Sequence, residues 1–391
     1  MKKKLLLLLS IISFCLMVFG SYAMDSIYES TSTTEENQTA VTVGLSPTVK
    51  RFIEEKGGLY QPPRGDVRLL VISDLNSAYG STEYEDEVHL ALQMIPFWSP
   101  DLVLGGGDMI AGQKRELTPT QIRAMWSAFD RQIAQPLRDL NLPFGFTIGN
   151  HDASGSFSIR ENRFFFQQER DLAREYWLNP DHDTRVNFVD RTSFPFYYTF
   201  KEKDIFFLVW DASSSYIPPE RLQWVEQALN SEVAQKAKMR IAIGHLPLYG
   251  IAKGRDRIGE VLNNADELRT LLENNHVHTY ISGHQHAYYP AHKGNLQMLH
   301  AGVLGSGPRA LIDGDAPPMK NLTIVDINFD DPELTTYTTY NMRTLELIND
   351  QELPPLLQAH NGTIYRRDIA LTLPPTNQRL CRGILASQIR G

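Results

Sequence analysis

Five short polar clusters in this chain carry side chains that chemistry can use, and each follows a run of apolar residues. They are Ser73-Asp74-Leu75-Asn76, Gly105-Gly106-Gly107-Asp108, Gly149-Asn150-His151-Asp152, Gly244-His245-Leu246-Pro247 and Gly283-His284-Gln285-His286. An amide, an imidazole and a carboxylate in three successive positions are costly at the end of a buried strand unless they face a cation or a charged substrate. Asp74, Asp108, Asn150, His245, His284 and His286 together offer carboxylate oxygens, an amide oxygen and imidazole nitrogens. That donor set suits borderline divalent metals such as Zn, Mn or Fe. The set is large enough for two ions with one carboxylate bridging. Two ions roughly 4 Å apart can clamp a phosphoryl group and activate a water for in-line attack. Each cluster alone has a plainer reading: Asp74 as a helix N-cap, Asp108 as turn chemistry, His245 as a core histidine. It is their recurrence after successive strands that points to one site.

The elements that must position these groups follow from hydrophobic pattern. Val67 to Ile72, Leu102 to Leu104 and Leu142 to Ile148 are short apolar runs that predict strands. Between them, residues 83–98 place Val88, Ala91, Leu92 and Ile95 at helical spacing. Thr118 followed by Pro119 predicts a capped helix start, with the helix running to about Leu140. Strand alternating with helix predicts a layered α/β sheet. In such sheets ligands bind beyond the carboxyl ends of strands, so clusters far apart in sequence converge on one crevice. Further on, residues 155–193 form a long insertion expected to be helical and to cover part of the site. Phe196 to Phe200 and Ile205 to Trp210 predict a hairpin. Met239 to Ile243, Val277 to Ile281, Leu296 to Ala301 and Leu322 to Ile327 predict strands, and residues 335–340 an edge strand.

The ordered set Asp74-x-Asn76, Gly107-Asp108, Gly149-Asn150-His151-Asp152, Gly244-His245-x-Pro247 and Gly283-His284-x-His286 resembles the calcineurin-like metallophosphoesterase superfamily, over roughly residues 66–310. The resemblance implies an α/β fold, a four-layer α/β/β/α sandwich with mixed sheets and a C-terminal extension, and two divalent metal ions (Mn, Fe or Zn) at the strand ends. It implies that Asp108 bridges the metals, that Asn150, His245 and His284 bind one of them, and that Asp74 and His286 bind the other. It implies that a metal-activated hydroxide attacks, that His151 protonates the leaving oxygen or stabilises the transition state, and that Asp152 orients His151. The pattern departs from the family at Asn76, where a histidine is usual; an amide oxygen ligates more weakly than imidazole. The purple acid phosphatase branch also lacks that histidine and uses a tyrosine after Gly-Asp, which Met109-Ile110-Ala111 does not supply.

The motifs define a reaction type rather than a substrate. Lys253, Arg255 and Arg309 lie near the clusters, and a guanidinium matches phosphate oxygens bidentately; Arg255 and Arg309 are the substrate-binding candidates. Two functions are compatible with the motifs. One is an exported phosphatase or phosphodiesterase acting on a small-molecule phosphate ester. The other is a non-catalytic, metal-stabilised binding module on the same fold, which Asn76 favours and His151 opposes.

The chain has 391 residues, 42% hydrophobic and 21% charged, with a net charge of -8 from 38 basic and 46 acidic residues. It is a globular chain with too many residues for one small core, and its charge argues against nucleic acid as a stable partner. Lys2-Lys3-Lys4, an apolar run from Leu5 to Gly20, and small residues at Ser21 and Ala23 predict a secretory signal over 1–23 and a periplasmic or extracellular destination. The alternative is a retained anchor, but the run falls short of the roughly 20 residues of a spanning helix. Residues 24–65 are expected as a flexible leader with a short helix within Leu45 to Tyr60, 66–330 as the catalytic domain, and 331–391 as the extension. With Cys15 in the signal, Cys381 stands alone and no internal disulfide forms. Asn37, Asn321 and Asn361 are glycosylation sequons.

Overall fold

The computed structural model describes residues 45–370. The signal sequence, the first part of the leader, Asn37 and Cys381 lie outside the described residues. Strands β1 (Val67–Ile72), β2 (Leu102–Gly105) and β3 (Phe144–Phe146) are parallel and adjacent. Helices Asp86–Trp98 and Pro119–Phe129 make the crossovers that parallel neighbours require. The second of these starts as its sequence predicts. Thr118 accepts from the Gln121 N–H while the Gln121 side chain reaches back, and Pro119 fills the first turn, where no N–H is needed. It continues through a widened π turn at Asp130–Ala134 into Gln135–Asp139. The widening comes just before Pro136, which has no N–H to give an α-helical ladder.

The insertion is less helical than its sequence predicts. It holds a short hairpin, β4 (Phe157–Ser158) with β5 (Arg163–Phe164), one helix at Gln167–Trp177, and strand β6 (Phe188–Ser193). Then come β7 (Tyr197–Glu202), β8 (Ile205–Val209), β9 (Met239–Ile243), β10 (Thr279–Ser282), β11 (Tyr288–Lys293), β12 (Leu296–Ala301), β13 (Asn321–Ile327), β14 (Thr336–Asn341), β15 (Leu356–Ala359) and β16 (Gly362–Arg366). They form two mixed sheets. One has the order β14-β13-β1-β2-β3; the other has β15-β16-β11-β12-β10-β9-β8-β7-β6.

The sheets pack face to face. Tyr198 on β7 accepts from the Phe146 N–H on β3 at 3.0 Å. Gly145 is needed beside it, because a Cβ there would lie 2.5 Å from the Phe200 ring. The central strands β1, β2, β8 and β10 are buried along their whole length, as expected for parallel strands covered on both faces. This is the layered α/β sandwich the sequence implies.

Both ends of the described chain are built into this sandwich. In the stretch expected as a leader, Ser46 caps helix Pro47–Glu55, and Leu45, Val49, Ile53 and Leu59 are buried. Beyond residue 330, β14 forms an edge of the first sheet and β15 and β16 close an edge of the second. Arg68 fastens β1 to its neighbours from within the core. It donates to Asp326 on β13 at 2.8 and 3.1 Å, to the Trp98 carbonyl and to the Pro62 carbonyl. The sequon at Asn321 is not available to a glycan. Its side chain is buried in β13 and donates to the Ala301 carbonyl. Among the described residues no helix is long and apolar enough to cross a membrane.

Candidate metal centre

The five clusters meet in the crevice between the two sheets. Asp74, Asp108 and Asn150 come from the ends of β1, β2 and β3; His245, His284 and His286 come from the ends of β9 and β10. Asp74, Asp108 and His245 are almost fully buried, as are Asn150 and His284. Four of the residues that carry the functional groups sit in left-handed backbone: Asp74 at φ 52°, Asp108 at 55°, His284 at 67° and His286 at 54°. Such conformations cost about 1–3 kcal/mol each outside glycine and persist where surrounding structure holds them. Here they turn each side chain off its strand axis into the crevice. Gly107, at φ 94°, lets two of the loops approach closely, since a Cβ there would lie 2.6 Å from His245 Nδ1.

The hydrogen bonds fix which ring nitrogen faces inward. His245 Nδ1 lies 2.7 Å from the Gly106 carbonyl, which can only accept, so Nδ1 carries the proton. The Nε2 lone pair then faces Asn150 Oδ1 at 2.9 Å and Asp108 Oδ1 at 3.4 Å. His286 repeats the arrangement: Nδ1 donates to the Gly307 carbonyl at 2.9 Å, and Nε2 faces Asp74 Oδ1 at 3.2 Å. His284 Nδ1 lies 2.9 Å from the same Asn150 Oδ1, and its Nε2 lies 2.8 Å from Glu260. Asn150 turns its oxygen inward because its Nδ2 donates to Gln113 Oε1 at 2.6 Å.

Acceptors therefore point at acceptors, an arrangement stable only around positive charge. Without a metal a proton takes that place. Burial opposes charging His245, yet Asp108, Asp74 and the Gly106 carbonyl together outweigh it and lift the ring to about 9. The same imidazoles hold both carboxylates below their usual range despite burial: His286 and His245 act on Asp74, and His245 and His151 act on Asp108. This donor set fits divalent cations. One oxygen or nitrogen from each of Asp74, Asp108 and His286 lies within 4.8 Å of the other two. A second group gathers His245 and His284 about Asn150 Oδ1, with Asp108 Oδ1 3.4 Å from His245 Nε2. Asn76 is at the crevice through its backbone: its N–H donates to the Asp108 carbonyl and its carbonyl accepts from Ser306. Its side chain has no hydrogen bond among the described residues.

His151 stands at the mouth. Nδ1 lies 3.1 Å from the Gly112 carbonyl and Nε2 lies 3.9 Å from Asp108 Oδ2. The exposed ring of Tyr79 lies against it, with centroids 5.0 Å apart. Asp152 does not orient His151. It accepts from the backbone N–H groups of Asp108, Met109, Ile110 and Gly149 at 2.7–2.9 Å and forms the base of the Asp108 loop. The short helix Asn150–Ala153 explains this, since neighbours on a helix point in different directions. Burial and the Asp108 charge push the Asp152 carboxyl up to about 7.

Arg255 is at the site but not free. Its Nη1 lies 3.3 Å from Glu260 and 3.0–3.1 Å from both His284 nitrogens. Arg309 donates its backbone N–H to His286, and its buried Nε has no partner among the described residues. Burial and the Arg255 charge hold the Arg309 guanidinium below its usual range. The insertion walls a cleft of about 1430 Å³ beside Phe164, Phe196 and Tyr216 that no metal-site residue lines, and its Glu169 accepts from the N–H of Gln113, the residue that holds the Asn150 amide. Sequence reasoning missed Gln113, Glu260 and Ser73, whose hydroxyl donates to Asp74 at 2.6 Å. Gln113 and Glu260 lie on loops with no periodic signal; Ser73 is within the first cluster.

The calcineurin-like phosphoesterase family model matches residues 67–288, more than half of the chain, and the chain belongs to that family. The family is one of metal-dependent phosphoric ester hydrolases. Among solved structures the chain is similar to a purple acid phosphatase from yellow lupin (Lupinus luteus) seeds, with 15% identity and a TM-score of 0.52 over 74% of this chain and 54% of that one. The match thus spans about half the length of the lupin protein, and the likeness is one of fold. Weaker likenesses are to GAP50 of Plasmodium, with 14% identity and a TM-score of 0.44 over 72% of this chain and 87% of that one. A Staphylococcus aureus protein named as a 5'-nucleotidase follows, with 13% identity and a TM-score of 0.37 over 82% and 58%. No curated protein sequence matches the chain.

Proposed function

We propose that this protein is an exported phosphoesterase that hydrolyses small-molecule phosphate mono- or diesters with two divalent metal ions. The observation that carries the reading is the inward convergence of imidazole lone pairs, an amide oxygen and two carboxylates at the ends of strands from both sheets. Asp74, Asp108 and His286 would hold one ion; Asp108, Asn150, His245 and His284 would hold the other. Bound there, the ions supply Lewis acidity toward the phosphoryl oxygens and an activated water.

The chain's own residues do the rest. Gly112 and Asp108 fix the His151 ring so that Nε2 faces the crevice mouth. In the protonated ring, Nε2–H passes its proton to the leaving oxygen while Nδ1–H stays on the Gly112 carbonyl, and the ring leaves the step neutral. Asp152 keeps the Asp108 loop rigid through four N–H groups, and Arg309 adds positive charge near the incoming phosphate. Export rests on the basic and apolar pattern of residues 1–23.

Metal content by elemental analysis, run beside hydrolysis of p-nitrophenyl phosphate and bis-p-nitrophenyl phosphate, tests the proposal. About two metals per chain with turnover is the expected result, and the ester preference narrows the substrate. About one metal with no turnover on either ester favours the binding module instead. Growth-medium fractionation followed by N-terminal sequencing tests export, with Met24 the expected first residue.

A further inference from the structure

We propose that Glu260 is a positioning residue that selects the tautomer and orientation of His284, leaving Nδ1 as the metal-binding atom. This rests on the reading of the crevice as a metal centre. His284 has two nitrogens in hydrogen-bond range of acceptors, while Arg255 Nη1, 3.0 Å from Nε2 and 3.1 Å from Nδ1, stands equally near both and favours neither. Nε2 lies 2.8 Å from Glu260 Oε2, and Nδ1 lies 2.9 Å from Asn150 Oδ1. A neutral imidazole carries one N–H, so one of the two contacts must lack a proton. The Glu260 carboxylate, paired with Arg255 at 3.3 Å and Arg257 at 3.0 Å, is an acceptor only. A lone pair on Nε2 would be repelled by it. The proton therefore sits on Nε2, and the Nδ1 lone pair is aimed into the crevice beside His245 and Asn150.

Glu260 is itself held in place. Its carbonyl accepts from Gln285 Nε2 at 2.9 Å, and Gln285 Oε1 accepts from the Ile251 and Ala252 N–H groups at 3.1 Å. Gln285 lies between His284 and His286, so one buried amide ties the loop that carries the carboxylate to the turn that carries both imidazoles. The other two histidines use backbone carbonyls for this task, Gly106 for His245 and Gly307 for His286. His284 alone has a carboxylate, the stronger partner, and an outer carboxylate of this kind raises the donor strength of a ligating imidazole.

The test is metal affinity, measured by competition with a chromophoric chelator on the full chain, with Mn and Zn as probes. Glu260→Ala is expected to weaken binding by roughly 10–100-fold, with kcat falling in step with occupancy. Glu260→Gln keeps an acceptor oxygen for Nε2–H and is expected to recover most of that affinity. Ring ¹⁵N shifts of His284 in the metal-free wild type give a readout that needs no variant to fold, and the Nε2–H tautomer is expected. Wild-type affinity in Glu260→Ala, or the Nδ1–H tautomer in the wild type, overturns the assignment and leaves the metal centre standing. A wild-type chain that binds neither ion overturns both together.

Discussion

His151 presents one nitrogen to the crevice and spends the other on a backbone carbonyl, and it is absent from the inner ligand groups. Its removal should therefore separate chemistry from metal binding. His151→Ala is expected to lower kcat by about 10²–10⁴-fold, the usual range for a lost general acid, while elemental analysis still finds the wild-type metal content. Loss of metal in that variant would place His151 among the ligands and remove its assigned role. Glu169 gives a second residue-scale prediction. It is buried beside the Gln113 N–H, and burial, helped by the Asp152 charge, pushes its carboxyl up to about 7 from an ordinary value of 4.5. The folded chain then holds a proton that the unfolded chain has released between those values. Stability from this group is complete below about pH 4.5 and is lost as pH rises through 7, by up to about 3 kcal/mol at 1.4 kcal/mol per unit. Glu169→Gln should flatten the fall in melting temperature between pH 5 and pH 8; identical slopes would show that Glu169 titrates normally. At this scale the sequence was a good guide to which side chains meet in the crevice, because each follows an apolar run and a turn. It misassigned Asp152, since adjacency to His151 in the chain says nothing about direction on a helix. It could not show Glu260, which reaches His284 from a loop 24 residues away.

At the scale of elements, the core strands were legible because a strand buried on both faces is a plain apolar run, as β1 and β8 are. The late strands were harder. β11 carries Pro290 and His292, β15 and β16 are short, and β6 alternates exposed and half-buried residues. Each is recognised by its partner rather than by its own composition. The join between β1 and β13 depends on such a long-range partner. Asp326 lies 258 positions from Arg68 and is buried with it. Asp326→Ala leaves a guanidinium in the core without its counter-charge, and the expected loss is about 3–5 kcal/mol in urea unfolding. A loss under about 1 kcal/mol, the worth of an exposed pair, would mean that water reaches Arg68 and that the sheet does not depend on it.

For the whole molecule, the decisive geometry is that the candidate ligands divide between the two sheets: Asp74, Asp108 and Asn150 on one side, His245, His284 and His286 on the other. A cation bound between them binds the docked sandwich and not the open chain. Its stabilisation follows mass action, about 2.7 kcal/mol when free metal stands at a hundredfold over its dissociation constant. Melting temperature should therefore climb with the logarithm of free Mn or Zn and fall on chelation, with activity lost in parallel. A melting temperature indifferent to both metal and chelator would show that the crevice holds no ion.

The same division sets a timetable. The first candidate ligand stands at residue 74 and the last at 286, so most of the chain must be made, and both sheets must have met, before an ion bound in the crevice finds its full set of donors. For such a site metal loading would be a closing event rather than a seed, with its binding energy added to that of the folded chain. The surroundings in which folding finishes, and not those in which the ribosome works, then decide which ion is kept. Refolding one purified batch in separate Mn, Zn and Fe solutions would give three differently loaded proteins from a single sequence.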